Sequence, residues 1–440
     1  MRDTKFSTGL KSTLAILSVA LFATSLWAND EKVLHSFALG THGASPQAGL
    51  VMDAAGNLYG TTSLGGIHPC NHNGGLGCGT VFELSPNEDG GWTETVLHSF
   101  GEGTDGIYPA AALIFDAEGN LYGTTNLGGI HPCQGAGCGT VFELSPREDG
   151  GWTEKVLHSF GRGTDGNYPQ AGLIMDAAGN LYGTTLYGGY NPCPWGGGCG
   201  TVFELSPRED GGWTERVLHN FNYNAYSEFG GAYPKAGLIF DAAGNLYSTT
   251  SGGGGYICQG SGCGTVFELS PTEGGGWAEK DLRDFCSCGE GTNPVAGLIM
   301  DTAGNLYGTV GEGGMGGGGA AFELTLQADG SWSETNVYYF SYDHGGGPDG
   351  AYPNASLIFD AAGNLYSTTK QGGVHDTGTV FELTPTDGGT WSEKVLHSFG
   401  DGTDGFYPLA NLILDAGGNL YSTTSAGGIH GDGAVFEIMH

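Results

Sequence analysis

The chain has 440 residues and carries 47 acidic side chains against 14 basic ones, a net charge of -33. A field of this sign repels phosphate groups, so nucleic acid and anionic membranes are not expected partners. Glycine supplies 86 residues. Because these glycines fall at fixed places between apolar segments, they indicate turns and close backbone packing and not disorder.

Residues 1–28 have the pattern of a secretory signal peptide. An apolar run from Leu14 to Ala23 is followed by Ala28, a small residue at a plausible cleavage point. The run is too short to span a bilayer comfortably, and no later stretch is long and apolar enough to do so. We therefore expect a secreted or periplasmic protein with one domain over residues 29–440 and no membrane span after cleavage. Cleavage removes three basic residues and one acidic residue, which takes the charge from -33 to about -35. The basic residues that precede the run are Arg2, Lys5 and Lys11.

The rest of the chain is a repeat with a period of about 60 residues. The ten residues from Asp53 to Thr62 (DAAGNLYGTT) return six more times with conservative changes. A repeat that runs nearly from end to end predicts one closed or stacked array and not several unrelated domains. The later copies begin at Asp116, Asp176, Asp241, Asp301, Asp360 and Asp415.

Each unit contains four segments with the composition of β-strands. They alternate or run apolar, are rich in Val, Ile, Tyr, Phe, Thr and Trp, and show no helical period. Four antiparallel strands in each of seven units predict an all-β fold, a seven-bladed β-propeller of four-stranded blades. A linear β-solenoid is the alternative, but it would need shorter coils and end caps that the sequence does not display. In the second unit the predicted strands are residues 113–116, 121–125, 140–145 and 152–160.

The two ends of the repeat array complement one another. Residues 31–37 (EKVLHSF) match the fourth strand at residues 154–160, whereas the chain ends on residues 433–438 (GAVFEI), which match a third strand. The last unit therefore lacks the strand with which the array begins. We predict that residues 32–37 pair with residues 433–438 and close the ring, so that no blade is left unfinished.

Strand direction reverses at every turn, so the connections alternate between two faces of the ring. The short turns after the first and third strands lie on one face, here called the lower face. The longer loops after the second and fourth strands lie on the other, the upper face. Function is expected on the upper face, because long, variable loops carry it on a rigid scaffold.

Residues that recur from unit to unit are interpreted as structural, since no catalytic group is needed so many times. These are the Asp that opens each first turn and the Glu of each FEL segment, which occur seven times, and the Trp that opens the fourth strand, which occurs six times. The same interpretation applies to the fourth-strand histidines, which are His35, His98, His158, His219 and His397.

The ten cysteines are grouped locally. An even number of cysteines in local pairs behind a signal peptide predicts disulfides that close loops in an oxidising compartment. Zinc is the competing interpretation, but the spacings vary and no CxxC occurs. The predicted pairs are Cys70 with Cys78, Cys133 with Cys138, Cys193 with Cys199, Cys258 with Cys263, and Cys286 with Cys288.

Two sets of upper-face residues could bind a divalent cation, the only cofactor that we consider. Four histidines follow a GGI or GGV segment in contiguous blades and could form a metal or acid/base site, unless each ring simply packs on its own loop. Four aspartates of DG turns could bind calcium, although Asp-Gly is first of all a turn sequence. Glu312 has no match in other blades and is a candidate unique acid. The histidines are His68, His131, His375 and His430, and the aspartates are Asp105, Asp165, Asp349 and Asp404.

Blades three and four carry aromatic residues in their upper loops. Exposed aromatic rings with polar edges suit sugar rings or a protein partner, which predicts a platform for a glycan or an extracellular protein. Local core beneath the longer loops is the alternative. The residues are Tyr187, Tyr190, Trp195, Tyr223, Tyr226, Phe229 and Tyr256.

The D-x-x-G-N-L-Y core followed by GTVFEL resembles the GloVer tandem repeats of bacterial exported proteins, named for Gloeobacter and Verrucomicrobia. It is more distantly similar to NHL propeller repeats. The resemblance covers residues 31–440 and implies export and a propeller-like fold, but no activity that could be carried over to particular residues.

Two function classes therefore remain open. One is a monomeric, non-catalytic extracytoplasmic propeller that binds a glycan or protein through its upper face. The other is a metal-assisted polysaccharide lyase or lactone hydrolase that uses the upper histidines. Near-identical blades favour binding, whereas unique polar residues converging on the central channel would favour an enzyme.

Overall fold

The computed structural model describes residues 31–70, 74–133, 135–193, 196–223, 230–255, 262–286, 289–342 and 347–440. Within these ranges the chain forms seven four-stranded antiparallel blades around a central channel, with no helix. The predicted seven-bladed β-propeller is confirmed. The proposed signal peptide, residues 1–28, lies outside the described residues and stays a prediction. In the described part of the chain, no helix is long and apolar enough to cross a membrane.

The first strand of each blade lines the channel and the fourth lies at the outer edge. The first strands are Val51–Met52, Ile114–Phe115, Ile174–Met175, Ile239–Phe240, Ile299–Met300, Ile358–Phe359 and Ile413–Leu414. The second are Leu58–Thr62, Leu121–Gly128, Leu181–Thr185, Leu246–Thr250, Leu306–Val310, Leu365–Thr369 and Leu420–Thr424. The third are Thr80–Pro86, Thr140–Pro146, Thr201–Pro207, Thr265–Pro271, Gly317–Leu326, Thr379–Pro385 and Ala434–Ile438. The fourth are Trp92–Ser99, Trp152–Ser159, Trp213–Asn220, Trp277–Asp284, Trp332–Ser341, Trp391–Ser398 and, for blade seven, Glu31–Ser36.

Burial along the strands follows their place in the blade. The second strand Leu181–Thr185 is buried at every residue, whereas the fourth strand Trp213–Asn220 begins with alternating half-buried and exposed side chains. That alternation is expected for a strand with one face on the core and one in solvent. Five further short strands pair loops of the upper face: Gly106–Pro109, Gly231–Ala232, Gly252–Gly253, Gly405–Phe406 and Ala426–Gly427.

The ring closes as the sequence predicts. The N-terminal strand Glu31–Ser36 pairs antiparallel with Ala434–Ile438, with Glu31 opposite Ile438 and Ser36 opposite Ala434. The first described strand therefore completes the last blade.

Much of the hydrophobic core lies between neighbouring blades. The phenylalanine that follows a fourth strand packs edge-to-face on the phenylalanine of the next blade's third strand, as in Phe100 and Phe142, whose ring centroids are 5.1 Å apart. Both rings of this pair are fully buried, so each interface gains apolar burial together with a favourable aromatic geometry. The equivalent pairs are Phe37–Phe82, Phe160–Phe203, Phe221–Phe267, Phe285–Phe322, Phe340–Phe381 and Phe399–Phe436.

The recurring D-x-x-G-N-L-Y motif forms the lower-face turn of each blade. In blade three, Asp176 Oδ1 accepts hydrogen bonds from the main-chain amides of Ala178 and Asn180, and Oδ2 accepts them from the Asn180 amide side chain and the Tyr182 hydroxyl. Burial alone would raise the pKa of Asp176, but these donors outweigh it and hold the pKa below its usual range. The expected structural role of this aspartate is thus observed.

Candidate functional site

The upper mouth of the channel is shaped by a backbone conformation that recurs in every blade. The residue before the proline of each GxYP segment has a positive φ, for example 57° at Tyr168. This left-handed conformation costs an L-residue about 1–2 kcal/mol. At Tyr168 it is held by a 2.8 Å hydrogen bond from the residue's amide to the Cys138 carbonyl of the preceding blade. The turn directs the residue after the proline toward the channel. The equivalent residues are Ser45, Tyr108, Tyr233, Asn293, Tyr352 and Tyr407.

A polar pocket of about 440 Å³ opens at this mouth over blades four to six; we call it the mouth pocket. Its charged side chains are Lys235, Glu312 and Lys370. The mouth pocket opens into the channel below it, because Lys235, Val295 and Asn354 line both. The full lining is Lys235, Asn293, Val295, Gly311, Glu312, Tyr352, Asn354, Lys370 and Gln371.

The three charged residues are departures from the repeat. Lys235 follows the proline, Lys370 follows the second strand, and Glu312 lies one position further along, each at a place that is uncharged in every other blade. The counterparts of Lys235 are Gln47, Ala110, Gln170, Val295, Asn354 and Leu409. Those of Lys370 are Ser63, Asn126, Leu186, Ser251, Gly311 and Ser425, and those of Glu312 are Leu64, Leu127, Tyr187, Gly252, Gln371 and Ala426.

The electrostatics of the mouth pocket follow from these side chains. Lys235 is half-buried, and burial lowers its pKa while the Glu312 carboxylate partly opposes the shift. Glu312 is exposed and accepts a 3.4 Å hydrogen bond from the Asn293 side-chain amide. Burial raises the pKa of Tyr352, so its phenol is a neutral hydroxyl. The pocket thus presents two ammonium groups, one carboxylate, amides and a hydroxyl.

Sequence reasoning found part of this site. Glu312 was singled out as unmatched, and the structure places it in the mouth pocket. Lys235 and Lys370 were missed. The signal was present in the repeats. At the position after the proline and at the position after the second strand, Lys235 and Lys370 are the charged residues where the other blades have uncharged ones.

The predicted aromatic platform is only partly described. Trp195, Tyr226, Phe229 and Tyr256 lie outside the described residues. Tyr187 packs edge-to-face between Tyr168 and Tyr233, with ring centroids 5.8 and 5.6 Å apart. Tyr223 also packs against the core of this region, whereas Tyr190 is 70% exposed. The platform as a ligand-binding set stays a prediction, and its described members divide between core and surface.

The four upper-face histidines are not brought together. His131 and His375 pack against the glycines that follow the fourth strands of their own blades, Gly161 and Gly400. His68 Nε2 lies 3.9 Å from Glu102 Oε2, in the loop of the same blade. Among the described residues, which include His430, no group of three or more His, Cys, Asp or Glu side chains could hold a metal ion. The arrangement matches the alternative in which each histidine packs on the loops of its own blade.

The aspartates considered for calcium face the blade interfaces. Asp105 Oδ2 lies 3.0 Å from His98 Nε2 and accepts a hydrogen bond from the Gly101 amide. Asp165 and Asp404 make the same contacts with His158 and His397. Asp349 accepts hydrogen bonds from the hydroxyl of Tyr338, which replaces the histidine, and from Ser341. These contacts support a structural role for both residue types.

A glutamate from the next blade's fourth strand completes these interfaces, and sequence reasoning missed it. Glu154 is half-buried near His98 and Asp105, and this burial, followed by the charge of Asp105, raises its pKa to about 7. Its Oε1 atom is buried with no hydrogen-bond partner in the described chain. The same holds for one carboxyl oxygen of Glu31, Glu94, Glu215, Glu279 and Glu393.

The upper face also carries a set of exposed apolar side chains, here called the apolar crown. They occupy one repeat position, directly after a Gly-Gly pair, and are 62 to 80% exposed. Among the described large hydrophobic residues they are the six most exposed. The crown consists of Ile67, Ile130, Tyr190, Met315, Val374 and Ile429.

Disulfides close the upper-face loops. The predicted pairs Cys70–Cys78, Cys133–Cys138 and Cys193–Cys199 are confirmed. Cys263 and Cys286 are also disulfide-bonded, and no described cysteine is free. Their predicted partners, Cys258 and Cys288, lie outside the described residues.

Comparison with known proteins gives a family and a fold. The model of the Gloeobacter/Verrucomicrobia repeat matches residues 18–256, 135–348 and 195–436. No curated protein matches the sequence.

Solved structures with a similar fold include a fungal alcohol oxidase of the AA5 family in complex with copper, at 16% identity and a TM-score of 0.56 over 93% of this chain and 76% of that one. A proposed 6-phosphogluconolactonase from Bacteroides uniformis is 14% identical, with a TM-score of 0.50 over 86% of this chain and 89% of that one. At these identities the likeness establishes the propeller fold alone.

Proposed function

The chain belongs to the Gloeobacter/Verrucomicrobia repeat family, and we propose that it is an exported propeller that binds a carbohydrate at the mouth pocket. One observation carries the proposal: the only charged residues at the three mouth positions compared above converge on one polar pocket over blades four to six. The other blades fold with uncharged residues at these positions, so the charges are not required for the stability of a blade. A cluster of departures on one side of the ring therefore favours a ligand site.

The chemistry of the mouth pocket suits sugar hydroxyls. Amides of Asn354 and Gln371 can both donate and accept hydrogen bonds, Glu312 accepts them, and the Tyr352 phenol does both. A volume of about 440 Å³ lies within the range of small-molecule sites, about 300–1,000 Å³.

Export is part of the proposal. The three disulfides are consistent with an oxidising compartment, and residues 1–28 have the signal-peptide pattern. A secreted or periplasmic protein would meet polysaccharide directly.

Catalysis at the mouth pocket is the second candidate. A half-buried lysine of lowered pKa beside a tyrosine is a pair that could accept a proton from a sugar carbon, as a polysaccharide lyase requires. The metal-assisted form of this hypothesis has less support, because the upper histidines do not converge. A lyase would release product with a new carbon–carbon double bond, which ultraviolet absorbance detects, whereas a binding protein would leave the glycan intact.

The test is a glycan array followed by calorimetric titration of each hit. Asn354→Ala should weaken binding at least ten-fold. The matched control is Gln47→Ala, an exposed residue at the same repeat position in blade one, which does not adjoin blades four to six; this substitution should leave binding unchanged. Equal effects of the two substitutions, or no bound saccharide at all, would place the function elsewhere.

A further inference from the structure

We propose that the sugar bound at the mouth pocket carries a single carboxylate, as a uronic acid does, and that Lys235 and Lys370 bind this group. The inference rests on the proposed function and names its ligand class. The site is an exception within a strongly acidic chain, because two of its three charged side chains are basic.

The two lysines differ from basic residues such as Lys155 and Arg147, whose side chains have partners. Lys155 donates a 2.8 Å hydrogen bond to the Gly211 carbonyl, and Arg147 pairs with Asp149 at 3.0 Å. Neither the Lys235 nor the Lys370 ammonium group donates a hydrogen bond to any described residue, although the main-chain amide of Lys370 donates one to the Tyr352 carbonyl. Among the described residues that line the pocket with them, Glu312 is the only carboxylate. Because burying an ammonium group without a partner costs free energy, an anion that enters the pocket replaces lost hydration of Lys235.

Glu312 limits the charge of the ligand. Two ammonium groups and one carboxylate leave the mouth pocket with one net positive charge, which a monoanion neutralises. A phosphate dianion or a sulfated chain would bring further negative charge near Glu312 and into the field of the whole protein, which opposes it. The hydrogen bond from Asn293 fixes the Glu312 carboxylate, so that its free lone pairs can accept from sugar hydroxyls.

Gly311 provides the room for the ring. An added β-carbon there would come within 2.5 Å of Asn354 Oδ1, so any side chain would press on the pocket wall. Five of the six other blades carry a side chain larger than alanine at or near this place, namely Ser63, Asn126, Leu186, Ser251 and Ser425, and the sixth carries Lys370 itself. A small residue beside two amides and two lysines therefore favours a ligand with hydroxyls as well as a carboxylate, and not a bare anion.

The experiment titrates the full chain with galacturonate, which is a monoanion, with neutral galactose and with inorganic phosphate. We expect galacturonate to bind at least ten-fold more tightly than galactose. Lys235→Met and Lys370→Met should each weaken galacturonate binding ten-fold or more, whereas Lys155→Met on the blade edge should not. Glu312→Gln should strengthen binding of galacturonate and also admit phosphate. Melting temperatures of all variants show whether each remains folded, and Lys→Gln variants replace any that do not.

Each other outcome overturns a distinct step. If galactose binds as tightly as galacturonate and the lysine variants have no effect, the acidic ligand class is wrong while carbohydrate binding stands. If phosphate alone binds in a lysine-dependent manner, the pocket is a simple anion site and both proposals fail. If no ligand binds, the proposed function fails with the inference.

Discussion

The hydroxyl of Thr423 donates a 3.1 Å hydrogen bond to the main-chain carbonyl oxygen of Ala48, which lies 375 residues earlier in the chain. The same bond joins every other pair of neighbouring blades, as from Thr184 to Ala236 at 3.1 Å. The junction between the two ends of the array thus has the same chemistry as an internal junction. The remaining donors are Thr61, Thr124, Thr249, Thr309 and Thr368.

This equivalence predicts equal stability losses at the closure and inside the ring. Thr423→Val and Thr184→Val each remove one buried hydrogen bond and keep the side-chain shape. Each should lower the free energy of unfolding by about 1–2 kcal/mol, since the Ala carbonyl loses a partner. Urea denaturation measures both. A much larger loss for Thr423→Val would mean that the closure is the weak point of the ring.

The disulfides should contribute little to global stability. Cys133 and Cys138 are only five residues apart, so closing this loop restricts the unfolded chain modestly. Replacing both with serine should cost about 2 kcal/mol or less and leave the far-ultraviolet spectrum unchanged. Thermal melts of the double variant and of the reduced wild type would reveal this. Unfolding on reduction would show instead that the upper loops hold the blades in place.

Stability should fall as pH rises from about 6.5 to 8. The buried carboxyl of Glu279 has its pKa raised to about 8, and those of Glu154, Glu215 and Glu393 to about 7. In this window the folded protein holds protons that the unfolded chain has released, so the free energy of unfolding decreases with pH. His35 and His219, with pKa values lowered to about 4, act in the opposite sense, but only below the unfolded value of 6.5.

Glu279→Gln isolates the effect, because an amide imitates the protonated acid. This variant should show a smaller decrease in melting temperature between pH 6.5 and 8 than the wild type. Glu118→Gln, in an exposed turn, is the control and should keep the wild-type slope. Identical slopes in all three proteins would show that Glu279 is ionised throughout the window.

The apolar crown should be dispensable for folding. Ile67 and Ile130 are 64 and 62% exposed, so replacing both with serine should change the free energy of unfolding by no more than about 0.5 kcal/mol per site. Leu144→Ala, at a fully buried position, should cost about 3 kcal/mol. Urea denaturation compares them. A large loss from the serine pair would place these side chains in a contact that the single chain needs.

The fold could be predicted because the repeat is strict. Period, strand order and closure follow from the spacing of the motifs, and the predicted strands agree with the structure to within a few residues. The first strand is shorter than predicted, with Ile114–Phe115 alone in the ladder. The bulge between Val156 and His158 was not foreseen, since a register shift leaves no mark in a pattern of apolar residues.

The candidate site was harder to predict because its residues are far apart in the chain: Lys235 and Lys370 are separated by 135 positions. The variation between upper-face loops identified Glu312, which lies in the pocket. The same criterion also identified the four histidines, which lie on separate blades and do not form a site. The half-buried Glu154 was missed, since a polar residue in an outer strand is expected to be exposed. Only the packing of one blade on the next removes it from water.

The residues that join the blades and those that surround the mouth pocket are different positions of the same repeat. A substitution at a mouth position such as Lys235 leaves the Phe100–Phe142 type of contact and the threonine bonds untouched. Evolution can therefore alter the ligand of such a ring one blade at a time, while selection for assembly keeps the seven interfaces alike. Relatives with the same scaffold are expected to differ first at these mouth positions.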